Sequence, residues 1–165
     1  MASKKGIAIT AIILAAITGA SFLLWVIPQE NDTTFIVTDY QSYLDGAKNI
    51  HEVLQESIEI EYQNLQDGKI SPMDYIAITE VTSSQVTTHI SEFVTSKPSE
   101  PWQESYISYM NGMKKFNEYI LETKVLANQI ENKSLDEEIL QTIDKIDSIK
   151  AESIEYIKKS NELRP

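Results

Sequence analysis

The chain has 165 residues, no cysteine and two histidines. That length allows one domain of ordinary size plus an anchor. The missing cysteines exclude a disulfide framework, a thiolate metal site and a covalently attached c-type haem. Charge is uneven: Lys4 and Lys5 are two of the 14 bases and the only charges before residue 28, which leaves 12 bases against all 25 acids, a net of −13, for the rest. Such a body repels nucleic acid. It suits a self-repelling surface, or a binder of cations or of a basic partner.

From Gly6 to Ile27, 22 residues pass without a charge. As a helix they span about 33 Å, enough to cross a bilayer core. A cleavable signal has a shorter apolar region followed by a small-residue cut site. Here the best site, Thr18–Ala20, lies inside the run, with "SFLLWVI" still to come. Trp25 suits the interfacial aromatic belt and Pro28 ends the helix. The expectation is an uncleaved signal anchor over 6–27, with residues 1–5 in the cytoplasm by the positive-inside rule, a linker over 28–37, and the body 38–165 outside. No second stretch approaches ~18 apolar residues. The reading is therefore a single-pass cell-membrane protein that meets the membrane through its N-terminal helix.

The stretch "ITAIILAAITGASFLLWVIPQ" resembles the N-terminal anchors of small uncharacterised exported proteins of ammonia-oxidising archaea. That resemblance covers only this part of the chain. It implies an archaeal cell-surface setting and no activity. Two glycosylation sequons fit an outside placement, at Asn31 and Asn132, both in predicted connections.

The body reads as four long helices. The first, 38–67, opens with a capping box from Thr38 to Gln41 and stops at Gly68. Its stripe runs Tyr40, Leu44, Ala47, Leu54, Ile58 and Leu65, with Ile50, Val53 and Tyr62 beside it. The second, 72–96, takes Ser71 as cap and Pro72 in its first turn; Met73, Ile76, Ile90, Phe93 and Val94 form its apolar face. Its hydroxyl-rich centre, "TEVTSSQVTTHIS", has the propensity of a strand but not the alternation. The third, 101–131, carries the clearest period: Trp102, Tyr106, Tyr109, Met113, Phe116, Ile120, Thr123, Ala127 and Ile130. Gly112 marks a place where it could kink, at a cost of roughly 1 kcal/mol against alanine. The fourth, 135–162, opens with a capping box from Ser134 to Glu137 and shows Leu135, Ile139, Ile143, Ile146, Ile149, Ser153 and Ile157.

Short joints between helices of similar length predict an all-α fold: a transmembrane helix followed by an antiparallel up-down-up-down four-helix bundle. The alternative is a three-helix body with the first helix extended from the anchor as a stalk. That would leave a full apolar face wet unless the protein oligomerises.

Catalytic signatures are missing: no phosphate-binding glycine loop, no HExxH, no GxSxG, and no Glu-x-x-His pair for a di-iron site. The chain is read as a non-enzyme, with no catalytic and no cofactor-binding residue assigned. In the up-down arrangement His51, His89, Met110 and Met113 fall within about 9 Å along the bundle axis. Imidazole with thioether suits copper, Cu(I) in particular, although methionine on a stripe is more often core filling. Glu80, Ser83 and Thr87 fall near core spacing on the second helix, and Glu61 lies on the inner stripe of the first. Together they could enclose a polar pocket. The opposing reading has the hydroxyls bonding back to their own helix and Glu80 reaching solvent. Tyr43, Tyr75 and Tyr119 look least committed to the core and so available to a partner. The functional expectation is an extracytoplasmic interaction protein, an accessory or scaffold subunit with a protein partner in a membrane or surface complex. The alternative is a ligand- or copper-binding bundle working with a partner protein.

Overall fold

The computed structural model describes residues 37–165; the expected anchor and Asn31 lie outside the described residues. Among those residues there are four α-helices and no strand: α1 (Tyr40–Gln66), α2 (Pro72–Val94), α3 (Gln103–Glu131) and α4 (Asp136–Glu162), with a short 3-10 turn at Glu100–Trp102 before α3. None of these helices is long and apolar enough to cross a membrane.

Local chemistry sets the ends. Asp39, one residue beyond the expected Thr38, caps α1: its carboxylate accepts from the Ser42 amide (2.9 Å) and hydroxyl (2.8 Å). A carboxylate at this position also favours the positive end of the helix dipole. Gly68, at φ 65°, closes α1, and the amides of Gly68 and Lys69 bond to the carbonyls of Leu65 and Asn64. Ser71 caps α2 by accepting from the Asp74 amide at 3.1 Å. The same two-bond closure ends α3, but with Lys133 in the left-handed region at φ 53°. The expected box at Ser134 does not form. Leu135 stands at the N-cap of α4 without a side-chain bond, and the acids Asp136, Glu137 and Glu138 face the helix dipole instead.

Contacts fix the directions. Tyr106 and Tyr109 donate their hydroxyls to the carbonyls of Tyr40 and Ala47, so α3 runs with α1. Tyr75 donates to Thr123 Oγ1 across the antiparallel α2–α3 pair. Ser105, Ser108 and Ser153 donate to the carbonyls of Ser160, Tyr156 and Gly112, so α4 runs against α3. α3 packs on all three other helices, whereas the backbones of α1 and α4 stay apart. Long polar side chains cross that seam: Lys150 to Glu59 at 2.9 Å, Arg164 to Asp45, and Lys48 to Asn161.

The core is aromatic at one end, where Leu44, Ala47, Phe93, Tyr106, Tyr109 and Met113 meet. It is mostly aliphatic in the middle, around Leu54, Ile58, Val86, Phe116, Ile120 and Ile146. The stripe of α1 from Leu44 to Leu65 is therefore buried, which removes the stalk alternative, although Ile50 and Val53 beside it are exposed rather than packed. Two expectations fail on α2, where Met73 and Val94 are exposed and the inner face is Tyr75, Thr79, Thr82, Val86 and Phe93. Threonine can hold such positions because its hydroxyl bonds back to its own helix: Thr79 donates to Ile76 and Thr82 to Ile78. Nor does Gly112 interrupt α3, which runs unbroken past it. A Cβ there would meet Ile157 Cγ1 at 2.8 Å, so the glycine marks the close approach of α4.

Candidate functional site

His51, His89, Met110 and Met113 lie at the aromatic end. His89 Nε2 bonds the Ala47 carbonyl at 3.0 Å, and Tyr109 donates to that same oxygen at 2.9 Å. Ala47 lies one turn before His51, so the two imidazoles share one level of the bundle. The His51 ring is 4.6 Å from that of Phe116 and 5.9 Å from that of Tyr109. Those rings flank Met113 on the inner face of α3, and Met113 is buried while Met110 is half-buried. His51 is only 4% exposed and its Nε2 has no partner. Burial, with His89 nearby, pulls its pKa down to about 4; burial also lowers that of His89. Burial thus works against the charged form of both rings, and the neutral form is the one a metal needs. Among the described residues no group of three or more His, Cys, Asp or Glu is placed to hold a metal ion.

Glu80, Ser83, Thr87 and Glu61 do not enclose a pocket. Glu80 is exposed and pairs with Lys124 at 2.8 Å. Ser83 donates to Asn117 at 2.8 Å, and Thr87, exposed, donates back to the Ser83 carbonyl. The first two tie α2 to α3. The inner positions are their neighbours Thr79, Thr82 and Val86, one step round the helix. Glu61 is buried on α1 and accepts from Asn64 at 3.1 Å. Tyr75 and Tyr119 are core residues rather than partner contacts, whereas Tyr43 is half-buried. Asn132 is the exposed C-cap of α3, so its side chain is reachable.

A cavity of about 290 Å³ lies instead in the α1–α4 seam, lined by Glu59, Tyr62 and Gln66 on α1, Tyr119 on α3, and Ile143, Ile146, Asp147 and Lys150 on α4 among others. Its base is the buried ring of Tyr119, 6.3 Å from the ring of Tyr62 and edge-on to it. Lys150 reaches over Tyr119, with Nζ 5.8 Å from the centroid. Burial and the Asp147 carboxylate push the Tyr62 phenol up to about 12. Periodicity missed this site because it marks buried stripes, and the groove exists where two stripes fail to meet. The legible signal was polar: the flank of α1 beside its stripe carries Glu59, Tyr62 and Gln66.

A third surface faces outward. Ile50, Val53 and Ile60 recur along α1 at three- and seven-residue spacing and are 37%, 48% and 50% exposed. They occupy the flank of α1 opposite Lys48, Glu59 and Tyr62. On α2, Val81 is 50% exposed on the flank opposite Glu80 and Ser83. Tyr62 lies beside Tyr75 and Ala47 beside His89, so Val81 falls level with the stretch between Val53 and Ile60. The outer α1–α2 seam therefore carries a row of branched apolar side chains. Acids border it, Glu56 and Glu92 among them. α2 has no Lys or Arg, and the single base of α1, Lys48, points to α4.

The chain matches no protein family, no curated protein and no solved structure.

Proposed function

We propose that this protein is a membrane-tethered interaction module: a helical bundle held outside the cell membrane by residues 6–27, acting as an accessory or scaffold subunit of a membrane or surface complex. The exposed apolar row on α1 and α2, with its acidic border and no base, supports this reading. Such a row is costly to leave wet and is a natural centre for a contact whose rim is charged. The partner it fits presents an apolar ridge flanked by Lys or Arg. Co-purification from native membranes in mild detergent tests this. Wild-type protein should carry a stoichiometric partner, and the pair Val53→Lys and Ile60→Lys should lose it while keeping full helicity. A wild-type chain that always isolates alone counts against the proposal.

A second reading follows from one atom. The buried, unpartnered Nε2 of His51, with Met113 at the same level, would offer a soft monovalent ion an imidazole and a thioether, and His89 would join them only through Nδ1, because its Nε2 is bonded to the Ala47 carbonyl. Cu(I) titration of the full chain against a colorimetric chelator tests it. Weaker than micromolar binding ends the copper reading and leaves His51 as a core residue.

A further inference from the structure

Aromatic faces and carboxylates attract positive charge, most strongly where water is partly excluded. The α1–α4 groove combines both and already holds one cation of its own. Lys150 Nζ sits 2.9 Å from Glu59 and over the face of Tyr119. A second carboxylate, Asp147, lines the same cavity three residues earlier on α4. It has no ion-pair partner among the described residues. Ile143, half-buried, gives the mostly polar cavity a small apolar wall. An anion finds only one base here, and Glu59 already neutralises it. The volume lies at the small end of the ~300–1,000 Å³ typical of ligand pockets, which suits a compact solute.

We propose that the α1–α4 groove binds a small organic cation, an ammonium or guanidinium on a short apolar stem. Its charge lies between Tyr62 and the exposed carboxylate of Asp147, and its stem on Ile143. Lys150 is the internal competitor for the same field. The inference is independent of the α1–α2 row, which lies on the opposite flank of α1. The cation can arrive as a free amine or as the side chain of a partner's Lys or Arg, since the recognised chemistry is shared.

The test titrates the full chain in detergent micelles, by calorimetry or NMR, with choline, agmatine and N-acetyl-lysine methylamide; glutarate is the anionic control. At least one cation should saturate below about 1 mM, and glutarate should not bind. Asp147→Asn should weaken binding by about tenfold or more, and Lys150→Met should tighten it severalfold. Should Lys150→Met unfold, Lys150→Arg keeps the internal cation and should leave affinity within about twofold of wild type. Binding of the lysine derivative alone assigns the groove to a partner's side chain; binding of the free amines assigns it to a solute. Absence of saturable binding by every cation overturns the proposal. So does an Asp147→Asn protein that binds as tightly as wild type.

Discussion

Acidification should attack this fold through one nitrogen. His51 is neutral in the folded protein at about 4 against an ordinary 6.5, because it is buried among Tyr109, Phe116 and His89. A histidine with a depressed folded pKa contributes its full stability above the unfolded value. That contribution falls as pH drops from about 6.5 toward 4, because the unfolded chain takes up the proton first. Between about pH 7.5 and pH 5 the loss from His51 comes to about 2 kcal/mol. His51→Leu isolates it, since leucine fills similar space and removes the orphaned Nε2. The variant should match wild type or exceed it by up to about 1 kcal/mol at the higher pH, and the gap should widen by about 2 kcal/mol at the lower. Urea unfolding of both full chains, followed by far-UV circular dichroism, reads the gap directly. Carboxylates and His89 titrate in both proteins and largely cancel. A gap that stays flat across this range would show that His51 is not held neutral by burial, and the reasoning would fail.

Three substitutions probe the backbone. Gly112→Ala should destabilise by about 1–3 kcal/mol despite alanine's better helix propensity, because its Cβ collides with Ile157; thermal unfolding measures this. Lys133→Gly should raise stability by about 0.5–1 kcal/mol by relieving the left-handed φ, and it preserves the Asn132 sequon. Leu135→Ser should add about 0.5–1 kcal/mol by supplying the missing cap of α4 and removing a 70% exposed leucine. No gain from Leu135→Ser would mean that the three acids of the first turn already satisfy that terminus.

The four helices were legible because α1 and α3 carry regular stripes of large apolar residues, and Gly68 and Ser71 punctuate them strongly. α2 was harder. Its inner face alternates Tyr75 and Val86 with Thr79 and Thr82, so a reading by hydropathy drifted to Met73 and Val94 on the surface. The same drift moved the expected polar pocket to Glu80, Ser83 and Thr87, one position round the helix from the core. His51 and Met113 face the same rings, Tyr109 and Phe116, because both lie on buried helical stripes and height follows from rise per residue. The α1–α4 groove lay beyond such reasoning. It depends on how far apart two backbones stand, which side-chain periodicity does not encode.

The serine bonds between α3 and α4 carry a consequence for how the chain opens. Ser105, Ser108 and Ser153 each donate a hydrogen bond to a carbonyl of the facing helix, across an interface narrow enough to need Gly112. This hairpin is local in sequence and its buried hydroxyls are matched to carbonyls, whereas α1 is held to α4 by partly exposed ion pairs worth little each. Amide exchange should therefore be slowest in the hairpin and fastest along α1, so that α1 leads each excursion toward disorder while the α3–α4 pair stays zipped.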